Sequence, residues 1–438
     1  MLTREENELM CRVGPGTPMG NLMRQYWMPA ILSMELPEPD GAPVRVRLLG
    51  ENLIAFRETD GTVALVANAC PHRGASLFFG RNEENGLRCV YHGWKFDASG
   101  ACVDMPNEPA ESNFKHKIRL TAYPCIERNG LVWAYLGPRE TPPALPDFPW
   151  NMDPDNVPFM WRNYRICNWM QTLEGDIDTS HINFLHRRMD GEVTTVPGAK
   201  WPGINNILLS QQDSSPRLEV IDTAYGCLYT AKRQADGQEY HRIHPFLFPF
   251  HTMIGGGIDD NGALTTFNGK AWVPMDDENT LVLEWHYRPG KPWSDEEREQ
   301  LAHVRSALGF LPATSEPGGR WRFKANIEND YYLDYELQKT KLFCGILSNP
   351  VQDHAMQETM GPIYNRSKEH LGTTDAMIIR VRRRLIQAAV ALRDHGTLPP
   401  GVDAPDLFWI KPVGALLPAG ADWVAATETR RSGRAVGA

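Results

Sequence analysis

No stretch of this sequence approaches the roughly 18 uninterrupted apolar residues that a membrane-spanning helix requires, so no such helix is predicted. The opening MLTREENELM carries acidic groups and no apolar run behind a basic start, which argues against a secretory signal and predicts a cytoplasmic protein. Long runs of one charge are also missing. Acidic residues exceed basic ones by nine, and that balance argues against nucleic acid as a partner. Cysteine is sparse: eight in 438 residues, at 11, 70, 89, 102, 125, 167, 227 and 344. Such scatter does not resemble the dense disulfide framework of a small secreted fold, so the informative cysteines are those spaced to hold metal. A dinucleotide fingerprint is absent too. The glycine-rich segment GPGTPMG, Gly14 to Gly20, is interrupted by two prolines and lacks that spacing, which makes it a helix-entry turn. There is no internal repeat and no low-complexity tract.

What is present divides the chain into stretches of different texture. With 42% hydrophobic residues, 438 positions suffice for two or three domains. Residues 1–43 read as an N-terminal helical segment, with two short helices between 5 and 28 broken by GPGTP. From 44 to 137, short alternating runs such as VRVRLLG, NLIAFR and GLVWAYLG, separated by turn residues, predict a small all-β domain. Seven prolines between Pro138 and Pro158 block helix continuation and interior strand pairing, so 138–160 reads as a linker. The remainder, 161–438, is predicted to be α+β, an antiparallel sheet flanked by helices. It carries a helix over 168–188, strands over 217–290 with a hairpin turn at Asp259–Gly262, and helices around 295–310 and 375–394. The arginines 380, 382, 383 and 384 predict a solvated or subunit-facing helix. The Pro- and Gly-rich chain after Leu398 is expected to wrap the surface as an extended tail.

Cys70-Pro71-His72 is followed, after sixteen intervening residues, by Cys89-Val90-Tyr91-His92-Gly93-Trp94. Each loop offers one thiolate and one imidazole. An iron-sulfur cluster with two unlike irons uses that set, one iron taking both cysteines and the other both histidines. Replacing two anionic thiolates by neutral imidazoles makes reduction easier and suits the site to relaying electrons. A structural zinc also accepts two cysteines and two histidines, but usually pairs like with like in each half-site. Gly74, Gly86 and Gly93 would let backbone amides approach the sulfurs, and Trp94 would shield one side from water. His116 and Cys102 read as structural.

ACPHRGASLFFG and LRCVYHGWKFDASG resemble the two cluster loops of Rieske proteins, specifically those of ring-hydroxylating Rieske non-haem iron oxygenases. The resemblance implies that Cys70 and Cys89 hold one iron of a 2Fe-2S cluster, and His72 and His92 the other.

Asp178, His181 and His186 form an Asp-x2-His-x4-His pattern within NWMQTLEGDIDTSHINFLH. On a helix Asp178 and His181 share a side, whereas His186 is rotated away. Both imidazoles reach one metal only if the helix ends or bulges between them, and such a break is predicted. Two imidazoles plus one carboxylate bind ferrous iron on one face and leave other positions open. The third ligand must come from elsewhere. NPVQDHAMQE resembles the family's distal-ligand stretch and implies Asp353, with Asp330 and Asp334 as competitors. The resemblance covers nearly the whole length and is greatest to the phthalate dioxygenase branch, through VGPGTPMGNLMRQYWMPA and HAMQET.

The resemblance implies an α-subunit with a helix-grip-like catalytic domain, one Rieske 2Fe-2S cluster and one mononuclear non-haem Fe(II) per chain. Asp178 would act catalytically, bridging His181 to His92 of the partner subunit. It further implies a homotrimer or two stacked trimers, with electrons from a separate NADH-dependent flavin and iron-sulfur reductase. O2 and a small aromatic substrate, phthalate-like by resemblance alone, would complete the reaction, a hydroxylation or dihydroxylation in aromatic catabolism. O- or N-dealkylation of an aryl ether or amine is the alternative chemistry, and an electron carrier or zinc-stabilised binding protein the non-enzymatic one. In YHRIHPFLFPFH, His241, Arg242, His244 and His251 line the pocket or receive an acidic group in one reading, and are satisfied packing residues in the other.

Overall fold

Thr3 starts the first helix, Arg4–Cys11, in a computed structural model that describes all residues except 113, 193–203, 256–264, 307 and 434–438. The Thr3 hydroxyl accepts from the Glu6 amide while the Glu6 carboxylate accepts from the Thr3 amide, a reciprocal cap for two otherwise orphan donors. Thr17 caps the second helix, Pro18–Met23, whose first-turn proline is preset for helical geometry. GPGTP is thus a helix-entry turn.

Strands Val44–Leu48, Glu51–Arg57, Val63–Ala67 and Ala122–Tyr123 make one antiparallel sheet, and four short strands between Arg81 and Asp104 make a second. Leu49 and Gly50, both at positive φ, form the two-residue turn that matches strand twist at the first hairpin. Ile54, Phe56, Val66, Leu77, Leu87 and Phe96 pack a core that includes Cys70, Cys89 and Trp94. A third sheet pairs Trp27–Leu32 with Leu131–Tyr135, joining a strand from residues 1–43 to the β-rich region.

The larger sheet is antiparallel throughout, in spatial order 159–165, 280–287, 267–274, 251–255, 238–247, 226–235, 217–222, with Val413–Leu417 paired to Gln238–Leu247. Cross-strand partners share a face. Tyr229 lies opposite His244, Arg242 opposite Ala231, Thr252 opposite Lys270, and Lys270 opposite Glu284. This polar row turns toward the segment that follows the helix Trp169–Ile177, because Arg233 and Arg242 donate to Thr179 and Lys270 pairs with Asp176. His251 lies on the other face, among the rings of Phe148, Phe250 and Trp285. The Pro-rich segment contributes Phe148 and Trp150, both fully buried between Trp133 and that face.

Three expectations change. Residues 168–188 are not one helix: it stops at Ile177, and Asp178 is its C-cap. The arginine-bearing helix Ala376–His395 is not merely solvated. Arg382 is buried, paired with Glu174 and Glu369, while Arg366 also holds Glu174. Burial alone would raise the Glu174 carboxyl, but the two guanidinium groups outweigh it and lower it. The chain after Leu398 is more ordered than an extended tail, because Val413–Leu417 pairs with Gln238–Leu247 and Trp423–Ser432 is a helix. The hairpin turn expected at Asp259–Gly262 lies outside the described residues. Among the described residues no helix is long and apolar enough to cross a membrane.

Candidate metal centres

Two loops of nearly the same construction face each other in the small domain. Cys70 N–H donates to Ala75 O and Gly74 N–H returns to Cys70 O, while Cys89 N–H donates to Trp94 O and Gly93 N–H returns to Cys89 O. Gly93 adopts φ +81°, and a Cβ there would lie 2.7 Å from Pro106 Cγ, so both conformation and space require glycine. The His72 and His92 rings lie 4.5 Å apart, centroid to centroid, and His72 stacks on Trp94 at 4.4 Å. Trp94 is in turn fixed by donating to Asn107 Oδ1. Burial pushes the Cys70 thiol up to about 11, with neighbouring Cys89 adding to the shift. The buried His72 Nδ1 has no hydrogen-bond partner among the described residues. Buried nitrogens are rarely left unsatisfied, and a metal ligand is one reason for the exception. Two thiols and two imidazoles on facing loops therefore fit a Rieske cluster. Cys102 lies in a strand with its thiol toward Asp104 O, a structural position.

The second constellation forms where the polypeptide leaves the helix Trp169–Ile177. After the C-cap Asp178 the chain makes a single 3-10 turn, His181–Asn183. The break predicted between the two histidines thus falls ahead of both. It aims both rings at one point: His181 Nε2 and His186 Nε2 are 3.1 Å apart. Asp353, from the helix Asn349–Thr359, places Oδ1 at 3.3 Å from His186 Nε2 and 3.8 Å from His181 Nε2. These three donor atoms lie within 4.8 Å of one another, a set that fits one metal ion. Burial opposes ionisation of Asp353, but the adjacent His186 and His181 outweigh it and hold the carboxyl far below its usual value. Asp330 is exposed, and Asp334 caps the helix Tyr335–Thr340; neither belongs to that set of three.

Asp178 Oδ2 lies 3.4 Å from His181 Nδ1, and Gln352 Oε1 lies 2.6 Å from His186 Nδ1. Neither Gln352 nor the buried Arg233 was expected from the sequence. Gln352 precedes Asp353 on a helix, where neighbouring positions point apart and periodicity gives no hint. Of the four residues read in YHRIHPFLFPFH, alternation puts Arg242 and His244 on the sheet face that meets Thr179, and His241 and His251 on the opposite face.

Residues 134–432 match the family model described as LigXa C-terminal domain like, and residues 26–124 match the Rieske [2Fe-2S] domain. The chain belongs to the Rieske oxygenases. It is 41% identical to the 3-chlorobenzoate-3,4-dioxygenase oxygenase subunit of Comamonas testosteroni, over 99% of each chain. It is 40% identical to the phthalate 4,5-dioxygenase oxygenase subunit of Pseudomonas putida, over 90% of this chain and 87% of that one. Its fold resembles dicamba monooxygenase bound to dicamba, with TM-score 0.58 at 19% identity over 85% of this chain and 99% of that one. This oxygenase has the small all-β domain and larger α+β domain expected of a terminal oxygenase subunit, and its cofactors are a Rieske cluster and mononuclear non-haem iron.

Proposed function

We propose that this Rieske oxygenase hydroxylates an aromatic acid, and that its division of labour follows the two constellations. Cys70, His72, Cys89 and His92 would hold the cluster, and His181, His186 and Asp353 the iron. When bound, the iron supplies the site at which dioxygen is activated with electrons relayed from the cluster. The residues around it bind and orient the substrate.

One observation carries the substrate class. Arg233 and Arg242 stand together on the sheet face beside Thr179, and among the described residues no carboxylate pairs with either. Arg233 is 1% exposed and its Nη1 is without a partner. Burial first, then repulsion from Arg242, lowers it to about 10. A buried cation beside a half-buried one, with no counter-ion, is costly, and an anionic ligand would relieve that cost. The neighbouring cation Lys270 is already paired, with Asp176. A carboxylate held at Arg242, the less buried of the two, would present its ring to the His181 side. The relatives named for 3-chlorobenzoate and phthalate support the same class.

A coupled oxygen-uptake screen over aromatic acids, aryl ethers and neutral arenes, with products identified, tests this reading. Aromatic acids are expected to give the largest uptake, and a cis-diol would establish dihydroxylation. Formaldehyde with a phenol would establish dealkylation instead. Arg242→Met is expected to raise KM for the acid by roughly 10- to 100-fold, as removal of a charge-assisted hydrogen bond does. An unchanged KM would remove Arg242 from substrate binding.

Electrons would come from a separate NADH-dependent reductase, since no nucleotide fingerprint is present. Assembly would be homo-oligomeric, trimer or stacked trimers. Val90 and Tyr91, 58% and 55% exposed, immediately precede His92, and half-exposed Phe184 packs on Phe343 beside the proposed iron ligands. Docking these two apolar surfaces between copies would bring His92 of the partner subunit to Asp178. The division 1–43, 44–137, 138–160 and 161–438 is retained as the proposed domain scheme.

A further inference from the structure

Gln352 is fully buried on the helix that carries Asp353, and its amide has two contacts of opposite sense. Its Nε2 donates to Ile346 O at 2.6 Å, and its Oε1 lies 2.6 Å from His186 Nδ1. A carbonyl only accepts. The amide nitrogen must therefore face Ile346, the amide oxygen must face His186, and His186 Nδ1 must carry the hydrogen. That leaves the Nε2 lone pair of neutral His186 directed toward Asp353 and His181. His181 is held in the same tautomer by Asp178. The two imidazoles thus have unlike supports, one anionic and one neutral.

We propose that Gln352 is a positioning residue that fixes the tautomer and ring orientation of His186 for metal binding. This rests on the assignment of His181, His186 and Asp353 as the iron ligands. Outer-sphere partners of ligating histidines contribute about 10- to 100-fold to metal affinity.

The test uses the full chain with its cluster in place and the mononuclear site cleared by a chelator. Cobalt(II) is titrated in anaerobically and read by its visible d–d absorption, with circular dichroism of the cluster as a check on folding. Gln352→Leu is expected to weaken cobalt binding by about 10- to 100-fold. Gln352→Glu keeps an acceptor for His186 but cannot donate to Ile346, so orientation of His186 predicts affinity equal to or tighter than the wild type. A residue that merely anchors the loop at Ile346 would make the glutamate variant at least as weak as the leucine one. The inference is overturned if Gln352→Leu binds cobalt within twofold of the wild type. It is equally overturned if Gln352→Glu binds more than tenfold weaker than the wild type, a comparison that stands even if the leucine variant does not fold. Asp353→Ala, run alongside, separates the two levels. Undiminished cobalt binding there would remove the underlying ligand assignment, whereas its loss with a normal Gln352→Leu would remove only the role of Gln352.

Discussion

Asp353→Ala should yield a folded, red-brown protein that has lost its mononuclear iron and with it all coupled oxygen uptake. The expected loss of metal affinity exceeds the roughly 10- to 100-fold that follows removal of an outer-sphere partner, because a direct donor disappears. Its physical basis is the convergence of Oδ1 on both Nε2 atoms, at 3.3 and 3.8 Å. Without the carboxylate, two neutral imidazoles would face a divalent cation with no anion to offset its desolvation. Iron analysis beside the cluster spectrum gives the answer directly. Iron content unchanged from the wild type would show that the carboxylate ligand lies elsewhere. Cys89→Ala is the reciprocal experiment: the visible cluster absorption should vanish because one sulfur donor of a buried, facing pair is gone. A full cluster spectrum in that variant would contradict the assignment.

Both constellations were legible because their chemistry is written in residue type and short spacing. Cys70 with His72, Cys89 with His92, and Asp178 with His181 and His186 each lie within a few residues, so local sequence offers all the candidate ligands but Asp353. Sheet texture was equally plain, since period-two alternation follows from the geometry of an extended chain. Other features depend on contacts across long separations. Arg382 reads as part of a solvated or subunit-facing helix because the sequence does not show Glu174, 208 residues away, as its buried partner. Gln352 was invisible for the same reason, lying 166 residues from His186. The helix end at Ile177 was misplaced for a local reason instead: the Asp178 carboxylate accepts from Ser180 N–H and faces His181, a side-chain alternative to helical pairing that periodicity does not register. Helix periodicity showed that the two histidines could not share one helix face, but not which bond of the chain would absorb the difference.

Asp178→Asn is the sharpest probe of how the two centres communicate, because it changes charge while preserving shape. Asp178 accepts the Ser180 amide at Oδ1, and its Oδ2 faces His181 Nδ1. Burial works to raise this carboxyl, but the hydrogen bond and charge of His181 outweigh it and keep it below the ordinary value, so the side chain is anionic at neutral pH. It is also incompletely enclosed, with 27% of the side chain accessible, which leaves acceptor capacity for a second donor. In the proposed assembly that donor is His92 of the partner subunit, and the anion would hold both imidazoles in register. Asparagine retains an acceptor oxygen for His181, so both metals should stay bound. The amide lacks the charge that strengthens each hydrogen bond, and its NH2 group would confront an imidazole N–H. Product formation should therefore fall by about 100-fold, the upper end of what an outer-sphere partner contributes. The measurement is a single turnover of pre-reduced protein mixed with substrate and oxygen, with product quantified beside iron content. A loss confined to iron occupancy would reduce Asp178 to a support for His181. A near-normal rate with both metals present would exclude the bridge, since an electron path that tolerates loss of this charge does not run through residue 178.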